Sequence, residues 1–299
     1  MPEIVKCCPL CGSQLSRFFD RREFRGHEVV NRICGNCGLV YQSPRMIAAE
    51  LDDFYAREYR QVYQGEAGPT PKDLFVQSGR ADALLRLVGD SINEVNRHLD
   101  IGCSAGVLLA RFRERYHCDV AGVEPGAAYR SYAQAQGLSV YPDLADMQAA
   151  GGACFDLVSM AHVLEHIPAP VEYLADLRAD ILTPDGWLLI EVPNLYCHDS
   201  FEIAHTTSFS GHTLRQTIEK AGLEVVKLKK HGLPRSELLP LYLTVLARPR
   251  RVAFEVDLQR EHSVALKRRI GMFWRRVVQK LFPRRAWIPL KKMENRDTR

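Results

Sequence analysis

Apolar positions between residues 73 and 221 follow two alternating patterns. Some segments have the three-and-four spacing of an amphipathic helix, and others are short apolar runs that are typical of buried strands. Strands that alternate with helices favour a parallel sheet with helices on both faces. We therefore predict an α/β fold with a doubly wound sheet. The predicted helices are residues 73–88, 107–116, 127–136, 170–181 and 213–221, and the predicted strands are 97–101, 119–123, near 140, 155–160 and 187–192.

The two ends of the chain show other patterns. Residues 12–33 contain apolar positions that suit a short hairpin, residues 51–60 have helical spacing, and the polar residues 65–71 are typical of a linker. Near the C-terminus, apolar residues recur three and four apart beside Lys and Arg, which predicts an amphipathic helix over 265–282. We therefore predict three parts, which are residues 1–64, 72–248 and 249–299.

The composition is that of an ordinary globular protein, with 46% hydrophobic and 25% charged residues. No run of 18 apolar residues is present, and the first residues lack the apolar stretch of a secretory leader, so we expect a cytoplasmic protein. The net charge of +4 conceals an asymmetry, because residues 248–299 carry 16 Lys and Arg against 5 Asp and Glu. The rest of the chain is mildly acidic, which makes nucleic acid an unfavourable partner.

The basic amphipathic tail leaves more than one placement open. A helix with Trp and Phe on one side and cations nearby is able to lie on an anionic bilayer. Residues 265–282 could therefore hold the protein at the inner face of the membrane. The same apolar stripe could instead dock on the body of the protein or on a second copy in a homo-oligomer.

Five of the nine cysteines lie in the first 37 residues, and four of them form two Cys-x-x-Cys-Gly pairs. Within a pair, the two intervening residues let both thiolates reach one ion, and the glycine permits the tight turn. Four thiolates complete a tetrahedral Zn²⁺ site with no open position for water or substrate. The sequence therefore predicts a small zinc-ribbon domain with a structural ion. The predicted ligands are Cys8, Cys11, Cys34 and Cys37.

A glycine-containing loop, LDIGCSAG at 99–106, follows the first strand of the predicted sheet, and Glu124 follows the next strand. Such a turn lets a ligand approach the backbone closely. An acid at the end of the neighbouring strand is able to accept both hydroxyls of a ribose. Together they indicate an adenosine-type ligand across the carboxyl ends of the two strands.

Signatures of three other protein classes partly match the sequence in this region. A dinucleotide fingerprint fails, because Ser104 and Val107 occupy two of its glycine positions. The elbow of α/β-hydrolases, GxSxG, would make Ser104 a nucleophile, but that elbow normally follows several strands and gives Glu124 no role. The letters HVLEH at 162–166 match the HxxEH signature of zinc proteases, which requires a long helix and a third ligand.

Four ordered motifs between residues 97 and 247 resemble a class I S-adenosylmethionine-dependent methyltransferase. They are LDIGCSAG at 99–106, VEP at 123–125, FDLVSMAHVLEHIPAP at 155–170 and LTPDGWLLIEVPN at 182–194. The resemblance implies a Rossmann-like fold, S-adenosylmethionine as cofactor and a transferase activity.

The same resemblance implies roles for eight residues. The loop after the first strand would contact the cofactor through Asp100, Gly102, Ser104 and Gly106. Glu124 would bind the ribose, Asp143 and Leu144 would contact the adenine, and His162 would form the near wall of the site. Ser104 stands where such loops commonly have glycine.

Methyl transfer from a sulfonium is an in-line displacement, so the protein mainly aligns donor and acceptor. For a hydroxyl acceptor a histidine base is useful, and His205 and His166 are the catalytic candidates. The fusion of a four-cysteine domain to this domain resembles bacterial methyltransferases of sugar and surface-polysaccharide pathways. That implies O-methylation of a saccharide or lipid-linked saccharide. A ribosomal RNA base methyltransferase and a non-catalytic S-adenosylmethionine-binding module remain as alternatives.

Overall fold

A computed structural model describes residues 2–47, 50, 54, 68–151, 154–251 and 256–288. Almost all of the helix predicted at 51–60 and part of the linker predicted at 65–71 lie outside these residues. The limits of the three predicted parts stay a prediction.

The N-terminal segment forms a small antiparallel sheet. Its strands are β1 (Ser16–Phe24), β2 (His27–Cys34) and β3 (Val40–Gln42). β1 and β2 are joined by a tight turn in which Arg25 and Gly26 both have positive φ, as hairpin turns of this kind require. The hairpin predicted between the two cysteine pairs is confirmed.

A seven-stranded sheet forms the centre of the molecule. Its strands are β4 (Arg97–Ile101), β5 (Asp119–Val123), β6 (Ser139–Tyr141), β7 (Phe155–Ala161), β8 (Leu182–Pro193), β10 (Leu223–His231) and β11 (Tyr242–Pro249), with a short strand β9 (Thr207–Ser208) outside it. The order across the sheet is β10-β11-β8-β7-β4-β5-β6. β11 runs antiparallel to both of its neighbours, and the other pairs are parallel. The chain winds outward in both directions from β4, which confirms the doubly wound α/β fold.

Helices alternate with these strands. They are α1 (Pro71–Val88), α2 (Val107–Tyr116), α3 (Ala127–Ala135), α4 (Leu144–Ala149), α5 (Pro170–Asp176), α6 (Gly211–Lys220), α7 (Val264–Leu281) and α8 (Pro283–Ala286), with single wider or tighter helical turns at Gly89–Ser91, Leu164–His166 and Leu177–Ile181. Of these, α4 and α8 are additional to the predicted helices. α1 begins two residues before the predicted start, because the side chains of Thr70 and Asp73 form a reciprocal capping box.

The beginning of β8 differs from the prediction. The strand starts at Leu182 rather than Trp187, although Pro184 and Gly186 are typical turn residues. Leu182 pairs with Phe155, while Trp187 pairs with Leu157. The intervening residues of β8 therefore bulge out of the sheet without ending the strand.

The N-terminal sheet is continuous with the larger body. β9, which lies between β8 and α6, completes a four-stranded sheet in the order β1-β2-β3-β9. One apolar core contains Leu10 and Leu39 of the N-terminal segment together with Leu214 and Ile218 of α6. Lys220 Nζ also donates to the carbonyl oxygen of Leu10 at 2.6 Å. The position of the cysteine pairs is therefore fixed relative to the central sheet.

The predicted C-terminal helix is confirmed as α7. It docks on the body through the face that carries its buried residues, Val264, Arg268 and Val278. Arg268 is 7% exposed and donates to the carbonyl oxygens of Leu195 and His198. A Cβ on Gly271 would overlap the carbonyl oxygen of Tyr196, so glycine permits the close approach. No helix among the described residues is both long enough and apolar enough to span a membrane.

Most of the apolar stripe of α7 points away from the body. Five of its side chains are 57–65% exposed, and they are Leu266, Ile270, Phe273, Trp274 and Leu281. Val278 of the same stripe is 4% exposed and lies in one apolar cluster with Leu239 and Tyr242 of the body. The helix is therefore docked on the body, as one of the two alternatives expected, while most of its stripe stays exposed.

We expect Arg268→Ala to lower the free energy of unfolding by about 1–3 kcal/mol, because it leaves two backbone carbonyls without their donor. Phe273→Ser combined with Trp274→Ser should change it by less than about 0.5 kcal/mol, because both side chains are exposed. Urea unfolding measures both. A large loss from the double change would contradict the observed docking face.

Candidate active site

A cavity of about 780 Å³ opens where the strands of the central sheet end. Its wall includes the residues that follow β4, β5, β6 and β7 and the last residue of β8. Ligands of doubly wound sheets bind at this edge. Of the predicted cofactor and catalytic residues, the wall contains Asp100, Gly102, Ser104, Glu124, Asp143, Leu144, His162, His166 and His205.

The loop after β4 is shaped by its backbone. The amide groups of Gly102 and Cys103 both donate to the carbonyl oxygen of Val123, at 2.8 and 3.0 Å, which holds the loop against the end of β5. Gly102 has φ of +72°, and a Cβ there would lie 2.6 Å from a methyl group of Val163. Only glycine fits this position, and its backbone is left open to the cavity.

Glu124 is 3% exposed and is fixed by the same loop. Its Oε2 accepts from the backbone N of Ser104 at 2.9 Å, and its Oε1 accepts from the backbone N of Gly126 at 2.9 Å. These two backbone donors fix the orientation of the carboxylate directly after β5, at the edge where a ribose would lie.

Asp100 lies at the end of a buried hydrogen-bonded chain. Ser159 Oγ donates to Asp100 Oδ1 at 2.6 Å and lies 2.8 Å from His98 Nε2. Burial raises the pKa of Asp100 to about 7, and it lowers the pKa of His98 to about 3. The neutral imidazole therefore donates to Ser159, which leaves the hydroxyl proton for the aspartate.

The remaining predicted cofactor residues divide into two groups. Asp143 caps α4 by accepting from the backbone N of Asp146 at 2.8 Å, and Leu144 begins that helix, so both stay at the cavity wall. Gly106 instead begins α2 with its α-carbon against Leu138, and it does not line the cavity. Glycine is required at this position because the start of α2 packs closely against Leu138.

His162 sits between two acids in the other half of the cavity. Its Nδ1 lies 3.2 Å from Glu165 Oε1, and its Nε2 lies 3.3 Å from Glu191 Oε1. Burial and the nearby Arg80 oppose its charge, but the hydrogen bonds to the two carboxylates raise the pKa of His162 above its ordinary value. This arrangement favours the imidazolium form.

His166 and His205 are brought together although they are 39 positions apart. Their ring centroids are 4.7 Å apart, and both are buried. His166 Nδ1 bonds to the carbonyl oxygen of Ala204 at 3.0 Å, and His205 Nδ1 bonds to that of Ser200 at 2.7 Å. A carbonyl oxygen only accepts, so Nδ1 is protonated in both rings, and Nε2 carries the lone pair when a ring is neutral.

Several cavity residues were not predicted from the sequence. Glu191 is fully buried in β8, where it pairs with Arg80 of α1 at 2.8 Å. Its other oxygen, Oε2, lies 3.3 Å from His231 Nε2. A lone acid inside the apolar run LLIEVP was the available signal, because a buried carboxylate requires partners. Arg235, Tyr242 and Trp287 also line the cavity, and the sequence gives no local signal for them.

The predicted zinc ligands form a compact cluster. Cys8 Sγ lies 3.6 Å from Cys37 Sγ, Cys11 Sγ lies 3.4 Å from Cys34 Sγ, and all four sulfur atoms lie within 4.8 Å of one another. Tetrahedral Zn–S bonds of about 2.3 Å place sulfur atoms about 3.8 Å apart. The spacing of the four thiols therefore fits one zinc ion.

The protease alternative does not fit the geometry. The letters HVLEH occupy the end of β7 and the single helical turn Leu164–His166, so the two histidines are not on one face of a long helix.

The fold and the cavity define a class I methyltransferase architecture. The cavity lies at the carboxyl ends of the central strands, where the sequence predicted the ligand. Residues 74–228, a little over half of the chain, match the family described as a methyltransferase domain. The chain therefore belongs to this methyltransferase family, and the resemblance noted above is confirmed at that level.

Curated relatives match over shorter segments. The ubiquinone biosynthesis O-methyltransferase of Roseobacter denitrificans is 36% identical over 96 residues, which cover 30% of this chain and 38% of that protein. The protein of the same name from Actinobacillus pleuropneumoniae is 31% identical over 107 residues, which cover 32% of this chain and 45% of that protein. The chain thus spans less than half the length of these relatives.

A solved structure shares the fold. The Burkholderia thailandensis 1,6-didemethyltoxoflavin-N1-methyltransferase, determined with 1,6-didemethyltoxoflavin and S-adenosylhomocysteine, is 19% identical, with 77% of this chain and 99% of that chain covered and a TM-score of 0.52. The likeness shows the fold, and the family supports S-adenosylmethionine as the cofactor.

We expect Glu124→Ala to weaken S-adenosylmethionine binding by about 1–3 kcal/mol, the usual contribution of charge-assisted hydrogen bonds. Ser104→Ala is the matched control, because the bond from Ser104 to Glu124 comes from its backbone N, which this change keeps. It should bind nearly as well as the unchanged protein. Titration calorimetry measures both, and unchanged affinity in Glu124→Ala would contradict the ribose assignment.

Proposed function

We propose that this chain transfers a methyl group from S-adenosylmethionine to a hydroxyl group of a saccharide or lipid-linked saccharide. The observation that carries the proposal is the division of one cavity into two halves. One half has the glycine loop and Glu124 at the strand ends, and the other has His162, His166 and His205.

The two halves suit the two reactants. S-adenosylmethionine supplies a methyl group activated by the positive sulfur. Asp100 and Glu124 provide acceptors for the polar groups of its amino acid and ribose parts, and the backbone at Gly102 allows close approach. The histidine-lined half provides polar atoms that act on the acceptor hydroxyl. Because such a displacement depends mainly on alignment, the fixed backbone and side-chain positions are the principal contribution of the protein.

Two features support a hydroxyl of a small molecule over the RNA alternative. The curated relatives are named ubiquinone biosynthesis O-methyltransferases. They match only short segments of this chain, so we use them as a guide to the type of reaction. The body outside the basic tail is acidic, so it offers little attraction for RNA phosphates. The saccharide itself rests on the resemblance of the fused cysteine domain to sugar-pathway enzymes.

The experiment for the reaction uses methyl-labelled S-adenosylmethionine with three acceptors: lipid-linked saccharides, ubiquinone precursors and ribosomal RNA. Label should enter the saccharide fraction. Label only in the ubiquinone precursors or in the RNA would replace the saccharide proposal, and S-adenosylmethionine binding without label in any of the three acceptors would favour a binding module.

We expect His205→Ala to lower turnover by roughly 10²–10⁴-fold while S-adenosylmethionine affinity stays unchanged, because His205 lies in the acceptor half. Single-turnover assays and calorimetry separate the two effects. Near-normal turnover would remove His205 from the catalytic residues.

We also propose that the four-cysteine cluster holds a structural zinc ion. Its support is the sulfur spacing and the location of the cluster in the apolar core that joins the N-terminal sheet to α6. An ion here has no open coordination position, so its role would be to stabilise the fold.

Metal analysis of freshly purified, reduced protein should find this zinc, and Cys34→Ser should lose it together with part of the thermal stability. Cys7 is exposed and lies beside the cluster, so Cys7→Ser is the matched control and should keep the ion. Protein without any zinc would refute the proposal.

For the tail we propose contact with an anionic membrane surface. The stripe of Phe273, Trp274 and their apolar neighbours is exposed, and Arg269, Arg276 and Lys280 are exposed along one side of it. Apolar side chains beside cations fit a bilayer with anionic headgroups. Membrane contact would also bring lipid-linked acceptors near the cavity, since Trp287, shortly after α7, lines it.

The protein should sediment with anionic vesicles at low salt and not with neutral ones, because each nearby cation adds about 1 kcal/mol. Salt at about 1 M should release it. Phe273→Ser with Trp274→Ser should abolish binding, whereas Phe18→Ser, which removes a similarly exposed ring on β1, should not. A vesicle-independent dimer that the double change dissociates would assign the stripe to a second copy instead.

A further inference from the structure

Three potential metal ligands meet in the acceptor half of the cavity. One ligand atom each from Glu165, His166 and His205 lies within 4.8 Å of the other two, and all three residues are buried. All three also line the cavity. The set is separate from the four cysteines and contains two imidazoles and one carboxylate.

Both imidazole rings are held in the orientation that is typical of metal-binding histidines. Nδ1 of each ring donates to a backbone carbonyl oxygen, that of Ala204 for His166 and that of Ser200 for His205. Metal-binding histidines typically donate their second ring N–H to such a group, which fixes the ring and its tautomer.

Glu165 presents an oxygen that the surrounding residues leave unused. The residue is 2% exposed, and its Oε1 faces His162 Nδ1. Its Oε2 is buried and has no hydrogen-bond partner among the described residues. A buried carboxylate oxygen without a donor is costly unless a cation or another donor occupies the site.

We propose that Glu165, His166 and His205 form a binding site for a divalent cation of the Zn²⁺ class. Two histidines and one glutamate are a ligand set of catalytic zinc sites, and three protein ligands leave an open position. That position lies in the cavity, where the acceptor hydroxyl of the proposed function would enter. The inference rests on that function only for the identity of the molecule at the open position.

A bound cation would change how the hydroxyl reacts. Coordination lowers the pKa of the hydroxyl, and its proton passes to a water of the cavity. An oxygen lone pair then forms the new C–O bond to the methyl carbon, and the electron pair of the broken S–C bond stays on sulfur. The products are the methyl ether and S-adenosylhomocysteine. His205 would act as a ligand in this scheme, so loss of turnover in His205→Ala does not by itself distinguish a ligand from a base.

The test therefore measures metal uptake without S-adenosylmethionine or acceptor. Protein purified with its cysteine site filled is dialysed against a weak chelator and titrated with Co²⁺. The unchanged protein should bind one further equivalent, and the visible bands should appear without the near-ultraviolet absorption of thiolate ligation. Glu165→Gln, which keeps the side-chain size, and His205→Ala should each lose this equivalent or weaken it at least about tenfold.

His198→Ala is the matched control, because His198 is a half-buried histidine of the same cavity that lies outside the cluster. It should keep the full equivalent, and circular dichroism confirms that each variant is folded. No uptake by the unchanged protein, or equal uptake by Glu165→Gln and His205→Ala, would overturn the site. Failure of label transfer with intact Co²⁺ uptake would instead count against the proposed function.

Discussion

The pairing of β3 with β9 is the contact on which the acceptor half depends. Tyr41 and Val40 of β3 pair with Thr207 and Ser208, and the backbone N of Gln42 extends the ladder to the carbonyl oxygen of Thr206 at 2.9 Å. This ladder holds one end of the segment after β8, residues 194–210, which carries His198 and His205. Without it the segment would be a long irregular connection, and the histidine positions would not be defined.

Two further contacts hold the same segment. The hydroxyl of Thr206 lies 3.2 and 3.1 Å from the carbonyl oxygens of Glu165 and Ile167, which ties it to the turn after β7. On the other side, Arg268 and Arg275 of α7 donate to carbonyl oxygens of the segment, those of Leu195 and Cys197 among them. The N-terminal sheet and the C-terminal helix thus affect the site indirectly, because both contact and fix the segment 194–210 that carries His198 and His205. Their predicted zinc and membrane contacts would then affect the acceptor half through this segment.

Buried charge distinguishes the two halves of the cavity. In the cofactor half, Glu124 is stabilised by backbone amides, so its environment is set by the local chain. In the acceptor half, Glu191 depends on Arg80 and His231, which come from distant parts of the chain. A buried ion that loses its partner is strongly destabilising, so these side chains constrain one another as a group. The result is a polar acceptor half with little freedom to rearrange.

The sequence by itself determined the order of strands and helices, the hairpin, the two cysteine pairs and the loop-plus-acid arrangement of Asp100, Gly102 and Glu124. Each of these depends on neighbours along the chain or on two consecutive strands, so periodicity and motif spacing contain the information. Tertiary structure alone decided that Gly106 faces Leu138, that α7 docks through Arg268 and Gly271, and that His166 meets His205. Those outcomes depend on contacts between segments far apart in sequence, where packing and the need to satisfy buried polar groups select one arrangement among many that the local pattern permits.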